Sequence, residues 1–320
     1  MQNDRRDFLK RIGVAGLIAA TKDLPAVTPK PFAIGARGPH SRLGLSYAVV
    51  EIGLAKPFSV LHISDTHLSY AYPDEHQDKV RQSEERTMAF GGRQEEALAE
   101  SLAWAKANVD YVVHTGDLID FKSRANFDLV RKYWGTGIAG SMGNHEFYEF
   151  IKNAGSTHDE AFKASSWQDL RASYPVDPRF DSTVINGVNF VCLDDVFDTV
   201  QPDLVERFRS EVKKGLPIVL CLHVPLYTSL TKFVSWKNWR AKSGSKIRDY
   251  ELFSEREALS RQESDPVTRE FVAYLKSEPL LKAILSGHEH LTFEDRFSPT
   301  CIQYLVGGNF IFQGRVVIFR

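Results

Sequence analysis

Short apolar runs rich in β-branched residues alternate with longer stretches of helical period from about Leu45 onward. This alternation is typical of layered sheets flanked by helices, so we predict an α/β fold. The predicted strands are 47–52, 58–63, 111–114, 138–142, 183–185, 189–193, 218–222, 283–285, 291–297, 302–306 and 315–319. Asn186-Gly187, between two of these runs, indicates a tight hairpin.

Apolar residues three or four positions apart predict the clearest helices. They are Leu98, Leu102, Ala105 and Val109 in one stretch, and Leu204, Phe208 and Val212 in another. Two other stretches, 69–93 and 226–266, are rich in charge and lack a sustained apolar period. Segments of this length inside a compact domain are usually functional, and we expect both to be lid-like insertions.

The N-terminus has the layout of a signal peptide. Arg5-Arg6 is followed by a short apolar run, 12–20, which is too brief to cross a bilayer as a helix. The sequence RRDFLK resembles the twin-arginine export motif, with Asp4 where Ser or Thr is usual. The resemblance implies a bacterial protein exported in the folded state by the twin-arginine translocase. We expect residues 1–36 to be the signal and a Pro-rich segment, and the mature chain to be periplasmic or extracellular without a transmembrane segment. The alternative is an amphipathic N-terminal helix.

The overall charge is balanced, with 40 Lys and Arg against 41 Asp and Glu. This balance does not favour a nucleic acid or an anionic membrane as partner, so we expect specificity to be local. The three cysteines are widely spaced, which favours buried free thiols over a disulfide framework, although a disulfide at Cys301 remains open.

Five motifs each follow an apolar run at its C-terminal end. They are Asp65-Thr66-His67, Gly116-Asp117, Gly143-Asn144-His145-Glu146, His223 and Gly287-His288-Glu289-His290. Strand ends present side chains to a shared crevice, so the five segments can converge on one place. Their imidazole, carboxylate and amide groups suit zinc, manganese or iron. Each motif alone also fits an ordinary turn or a hydrogen-bonded core histidine.

Together, in this order, the motifs resemble those of the calcineurin-like metallophosphoesterase family. The resemblance covers roughly Phe58 to the C-terminus, and every ligand position is filled. It implies a metallophosphoesterase-type four-layer sandwich, in which two packed mixed β-sheets are flanked by helices. We expect a single domain over 45–320 with the two insertions named above.

The resemblance also implies a ligand set for two divalent metal ions. One ion is assigned to Asp65, His67 and His290, the other to Asn144, His223 and His288, with Asp117 bridging the two. His145 would face the substrate, and a hydroxide bridging the metals would attack the phosphorus. Purple acid phosphatases carry a tyrosine where this chain has Asp120, which argues against a ferric tyrosinate centre. His62 and His114 lie near ligands, and we interpret both as core or supporting residues.

Aromatic and basic residues interleave after His223. Those expected to touch a substrate are Tyr227, Trp236, Trp239 and Arg240. A lid binding a small or lipid-linked phosphate ester is one interpretation, and a surface loop anchored by its tryptophans is the other.

The favoured function is an exported phosphodiesterase. A phosphomonoesterase is the first alternative, and a metal-binding module without turnover is the alternative from another class. A nuclease is disfavoured by the charge balance and the export motif. A periplasmic nucleotidase is less favoured because that group carries a large additional C-terminal domain.

Overall fold

The computed structural model describes residues 42–135, 137–151, 159–243 and 261–320, with the backbone only for 239–243. The predicted signal segment, 1–36, lies outside the described residues. Residues Arg42–Arg320 form one unit.

Eleven strands form two mixed sheets in the described part of the chain. They are β1 Gly44–Val50, β2 Phe58–Ile63, β3 Tyr111–Thr115, β4 Ile138–Ser141, β5 Phe180–Ile185, β6 Val188–Leu193, β7 Ile218–Cys221, β8 Leu281–Ser286, β9 Phe293–Ser298, β10 Cys301–Leu305 and β11 Gln313–Phe319. The first sheet has the order β1-β11-β2-β3-β4, and the second has the order β5-β6-β7-β8-β10-β9.

The helices lie between the strands along the chain. They are α1 Gln77–Ala89, α2 Gln94–Asn108, α3 Arg124–Tyr133, α4 Glu160–Ala164, α5 Trp167–Ser173, α6 Pro202–Val212, α7 Ser229–Ser243, α8 Arg261–Ser264 and α9 Pro266–Ser277. Short 3₁₀ turns cover Asn144–Phe147 and Asn309–Ile311. Both helices predicted from apolar spacing, α2 and α6, are confirmed, and Gly215 follows α6 with φ +71°.

Three apolar clusters divide the molecule into four layers. The central cluster joins the facing sides of the two sheets, for example Val60 and Val317 with Val219 and Ala283. A second cluster packs α6 and α9 on the second sheet, and a third packs α2, α3 and α5 on the first. The order helices, sheet, sheet, helices confirms the predicted sandwich.

Each sheet contains parallel strands whose carboxyl ends lie at the same edge of that sheet. In the first sheet β2, β3 and β4 are mutually parallel, and in the second sheet β6, β7 and β8 are. Strand β11 enters between β1 and β2, parallel to the first and antiparallel to the second. The loops that leave β2, β3, β4, β7 and β8 carry the predicted motifs.

Both predicted insertions contain helices, and their role as lids stays a prediction. The stretch 69–93 contains α1, and 226–266 contains α7 and α8. Helix α1 buries none of its side chains, so it has no apolar stripe for periodicity to detect.

Two further expectations concern thiols and membranes. All three cysteines are buried free thiols, as predicted. Within the described ranges, no helix is both long and apolar enough to cross a membrane.

Candidate dinuclear metal centre

The strand-end loops are joined to each other by backbone hydrogen bonds. The N–H of Asp65 donates to Gly116 O at 3.0 Å, and that of His67 donates to Asp117 O at 2.9 Å. The loop after β8 joins the same edge, because His288 N donates to Asp65 Oδ2 at 3.0 Å. Three segments distant in sequence therefore meet in one place.

Left-handed backbone is concentrated at the predicted ligands. In the described part of the chain, ten residues other than glycine have positive φ. Five of them are predicted ligands: Asp65, His67, Asp117, His288 and His290. Such conformations cost on the order of 1–3 kcal/mol each and occur preferentially at functional sites. The folded structure maintains this strain where the predicted chemistry is.

Asp65, His67 and His290 form what we call the first half-site. His67 Nε2 lies 3.0 Å from His290 Nε2, and His290 Nε2 lies 3.3 Å from Asp65 Oδ1. Asp65 and His67 are fully buried, while His290 is partly exposed. One donor atom from each residue can reach a common ion.

Asp117, Asn144, His223 and His288 form the second half-site. His223 Nε2 lies 3.3 Å from Asp117 Oδ2, 3.2 Å from Asn144 Oδ1 and 3.2 Å from His288 Nδ1. Burial lowers the pKa of His288 to about 3, so its ring is neutral at pH 7, the form that binds a metal.

The donors of the second half-site fit a cation. His223 Nδ1 donates to Thr115 O at 2.7 Å, so in the neutral ring Nε2 carries a lone pair. That lone pair faces oxygens of Asp117 and Asn144, both acceptors. Buried acceptors that converge in this way need a shared positive charge. Burial alone would lower the pKa of His223, but the carboxylates of Asp117 and Asp65 raise it to about 10, so a proton on Nε2 can supply that charge. A divalent transition metal, which imidazole, carboxylate and amide donors suit, can take the place of the proton.

Asp117 lies between the two half-sites. Its Oδ2 is 3.8 Å from His67 Nε2 and 3.3 Å from His223 Nε2, and its side chain is buried. The carboxylate therefore faces a nitrogen of each half-site, as a bridging ligand must.

His145 lies beside both half-sites without belonging to either set of facing donors. Its backbone N–H donates to Asp117 Oδ1 at 2.9 Å, and its ring Nδ1 is 2.9 Å from Asp120 Oδ1. Burial alone would lower the pKa of His145, but the carboxylates of Asp117 and Asp120 raise it to about 9. The imidazole is held in its protonated form at neutral pH.

Glu146 supports the site and was given no role by the sequence analysis. Its buried carboxylate accepts hydrogen bonds from the backbone N–H groups of Asp117, Leu118, Ile119 and Gly143, at 2.9, 2.8, 3.2 and 2.6 Å. Tyr174 OH adds a fifth at 3.1 Å. The sequence feature that could have indicated this role is the position of Glu146 within the Gly-Asn-His-Glu motif.

Two aspartates were also missed as supporting residues. Asp120 accepts from Nδ1 of His67 at 2.9 Å, and Asp195 accepts from the backbone N–H of His223 at 3.1 Å. Asp120 was considered only in the argument against a tyrosinate centre. Each aspartate becomes identifiable only when the fold places it behind a histidine.

The interpretation of His62 and His114 as core or supporting residues agrees with their contacts. His62 Nε2 is 2.9 Å from Thr115 Oγ1, and His114 Nε2 is 3.0 Å from Thr66 Oγ1. Both histidines are buried.

The substrate residues predicted after His223 are placed only in part. Tyr227 is partly buried, and its backbone N–H donates to Gln262 Oε1 at 3.0 Å. The Trp236 ring lies 5.7 Å from Phe233 on α7, which reaches the site through Asn238 Nδ2 and Glu289 O, 2.6 Å apart. The side chains of Trp239 and Arg240 lie outside the described residues. Substrate contact by these four residues stays a prediction.

Aromatic side chains from other segments flank the histidines. Phe90 stacks on His67 with 4.2 Å between ring centroids, and Phe310 lies 5.1 Å from His290. We call Phe90 and Phe310 the first aromatic wall.

The second aromatic wall consists of Tyr148 and Phe150, whose ring centroids are 5.0 and 6.2 Å from that of His145. All four wall residues are partly buried. Neither wall was predicted from the sequence, because all four residues lie outside 226–266, where substrate contacts were expected.

A family model matches most of the chain. The family model described as calcineurin-like phosphoesterase matches residues 58–291. Among solved structures, a dimetal phosphatase from Danio rerio is 14% identical over 79% of this chain and 88% of that chain, with a TM-score of 0.42. A calcineurin-like phosphoesterase from Bacillus subtilis is 14% identical over 79% and 82%, with a TM-score of 0.35. A search of curated proteins found no match.

Proposed function

We propose that this chain, which belongs to the calcineurin-like phosphoesterase family, hydrolyses phosphate esters and prefers diesters. The observation that carries the proposal is the pair of half-sites on either side of Asp117, where facing nitrogen and oxygen atoms converge. Two cations beside one bridging carboxylate are suited to phosphoryl transfer.

The assignment of metal ligands follows the half-sites. Asp65, His67 and His290 would hold one cation, Asn144, His223 and His288 would hold the other, and Asp117 would be shared between them. The cations would supply Lewis acidity toward water and toward the phosphoryl oxygens. Manganese, zinc and iron all suit these donors.

His145 is the proposed proton donor. Asp120 fixes Nδ1 of the ring, so Nε2 is the atom that donates a proton to the leaving oxygen. Protonation of the leaving oxygen assists its departure, and because the cations would activate water as the nucleophile, no covalent enzyme intermediate is required.

The two aromatic walls support a diester with apolar or aromatic ester groups. One wall lies beside His67 and the other beside His145, so a phosphate at the half-sites has an aromatic surface on two sides. A diester carries two ester groups and can contact both walls, whereas a monoester contacts one. A small aromatic diester and a lipid-linked ester share this chemistry.

The test is a comparison of two esters on protein of known metal content. Elemental analysis of the purified chain is followed by assays with bis(p-nitrophenyl) phosphate and p-nitrophenyl phosphate after reconstitution with manganese, zinc or iron. We expect about two metal equivalents and a higher kcat/KM for the diester. A higher value for the monoester would replace the diesterase proposal with a phosphatase. Metal binding without turnover of either ester would favour the alternative that the protein is a metal-binding module and not an enzyme.

We also propose that the protein is exported through the twin-arginine translocase to the periplasm or beyond. The support is the sequence around Arg5-Arg6. Fractionation of cells expressing the full chain tests this, with Arg5→Lys plus Arg6→Lys as the variant. We expect that variant to accumulate in the cytoplasm, and unchanged export of the variant would contradict the proposal.

A further inference from the structure

Helix α1 docks on the molecule through polar contacts. None of its thirteen side chains, all of which the structure describes, is buried. Ser83 and Thr87 donate their hydroxyls to Ser69 O, at 2.8 and 3.0 Å, and Lys79 pairs with Glu149 at 3.2 Å. A further link, Arg86, reaches inward to the candidate metal centre.

Arg86 holds both oxygens of a buried carboxylate. Its Nε donates to Asp120 Oδ2 at 2.6 Å, and its Nη2 donates to Oδ1 at 2.8 Å. The Asp120 side chain is fully buried, and the Arg86 side chain is 30% exposed. A planar guanidinium that engages both oxygens fixes the rotation of the carboxylate as well as its position.

The aromatic walls hold the guanidinium in place. Arg86 Cζ lies 4.9 Å from the centroid of Phe90 and 5.5 Å from that of Phe150, one residue from each wall. Cation–π contacts on two sides restrict the guanidinium to the orientation that engages Asp120.

Asp120 connects Arg86 to two histidines with different roles. Its Oδ1 lies 2.9 Å from Nδ1 of His67, a ligand of the first half-site, and 2.9 Å from Nδ1 of His145, the proposed proton donor. Nδ1 of His145 also lies 2.9 Å from the backbone carbonyl oxygen of Asp120, so a rotation of the carboxylate removes the acceptor of His67 Nδ1 and one of the two acceptors beside His145 Nδ1. By contrast, the outer nitrogen of His223 is bonded to a backbone carbonyl, Thr115 O.

We propose that Arg86 is a positioning residue that acts through Asp120 on His67 and His145, and therefore on the first half-site and on proton transfer. The inference rests on the proposed function for its catalytic part, while its metal-binding part depends only on the residues of the half-sites. Residues that orient metal ligands in this way typically change metal affinity or activity by about 10- to 100-fold when replaced.

The test compares Arg86→Gln with two controls. Arg81→Gln removes an arginine from the same helix that pairs with Asp78 at the surface. Ser83→Ala plus Thr87→Ala removes two docking contacts of α1 but leaves Arg86 in place. Calorimetric titration with Mn²⁺ measures each affinity, and steady-state assays with bis(p-nitrophenyl) phosphate give kcat and KM.

We expect Arg86→Gln to weaken one of two Mn²⁺ affinities and to lower kcat, each by roughly tenfold or more, with KM within about threefold of the wild type. Both controls should resemble the wild type in affinity and kcat. If Arg86→Gln behaves like Arg81→Gln, or if the double alanine variant reproduces its defect, the inference is wrong. A defect shared with the double alanine variant would mean that Arg86 serves only to dock the helix.

Asp120→Asn separates action through Asp120 from direct contact with substrate. In the Asp120→Asn background, Arg86→Gln should lower kcat by less than about twofold, since the two residues act as a unit. A full additional loss would overturn the inference in favour of substrate contact. Wild-type protein that binds Mn²⁺ without turnover would refute the proposed function alone, because the affinity comparison still decides the role of Arg86.

Discussion

The two half-sites are supported from behind by different parts of the molecule. In the second, His223 Nδ1 donates to the backbone carbonyl of Thr115 at the end of β3, and the Asp117 loop is bound by Glu146. In the first, His67 Nδ1 is bonded to the Asp120 side chain, which Arg86 holds from a helix without buried residues. The outer nitrogen of His223 is therefore held by the sheet, whereas that of His67 is held by a series of side chains that reaches the surface.

This difference indicates where a substitution can change activity without changing folding. Backbone support changes only if the strand moves, whereas side-chain support changes with one residue. We therefore expect substitutions behind the second half-site to alter folding and activity together. Substitutions behind the first should alter activity with little effect on stability.

The largest expected effect comes from Asp117→Asn, which removes the charge that both half-sites share. Asp117 Oδ2 faces nitrogens of His67 and His223, so neither half-site keeps its ligand set. We expect kcat/KM to fall by at least about 10³-fold, because several kcal/mol of transition-state stabilisation is lost. Asp169→Asn, at an exposed position on α5, is the control. A variant with wild-type turnover of every ester would refute the enzyme proposal.

Gly143→Ala should disturb the second half-site next most strongly. A β-carbon on Gly143 would fall 2.5 Å from Asp117 N and 2.8 Å from Asp117 Cγ, so Asp117 has to shift. We expect kcat to fall by roughly 10²-fold, the usual cost of displacing a reacting group by about 1 Å. Gly135→Ala, where a β-carbon meets nothing within 4 Å, is the matched control. Equal kinetics for the two variants would contradict the prediction.

Glu146→Gln tests whether the second half-site and folding are coupled. The amide keeps one acceptor oxygen and turns an NH₂ donor toward backbone N–H groups that the carboxylate now satisfies. We expect a loss of about 2 kcal/mol in the free energy of unfolding, which lowers Tm by roughly 5 °C. Thermal unfolding of Glu206→Gln, at an exposed position on α6, provides the reference. An unchanged Tm together with reduced activity would show that the half-sites do not differ in the way described.

Phe90→Ala tests the first half-site and should have the smallest effect. Removing the ring that stacks on His67 costs about 0.5–1.5 kcal/mol of contact, so kcat/KM for the aromatic diester should fall roughly 2- to 12-fold. The control is Met88→Ala, whose side chain is 80% exposed. A Tm decrease as large as that of Glu146→Gln would mean that this half-site is also tied to folding.

Much of the scaffold could be predicted because its strands are buried and apolar on both faces. Every residue of β2, β6 and β7 is buried, and such continuous runs are visible in the sequence. Helix α1 could not be predicted in this way because it packs through hydroxyls and charges. Its sequence has no regular spacing of apolar residues that would indicate a helix.

The residues that meet at the site could be predicted from the motifs, but the residues that hold them in place could not. Asp65, His223 and His288 each follow a strand, and the topology brings those strand ends together. Arg86 and Asp120 are thirty-four positions apart and belong to no common pattern. Long-range pairing of side chains depends on packing, which one sequence does not reveal.

The insertion of β11 between β1 and β2 has a consequence for synthesis on the ribosome. Ser46 and Gly314 are in contact across 268 positions, so the first sheet has a gap beside β2 until β11 has been translated. A nascent chain lacking β11 leaves the hydrogen-bonding groups of β2 without their partner, and such edges pair readily with other chains. The first sheet is therefore completed only after β11 has been made, and we expect premature termination before Gln313 to leave a product prone to aggregation.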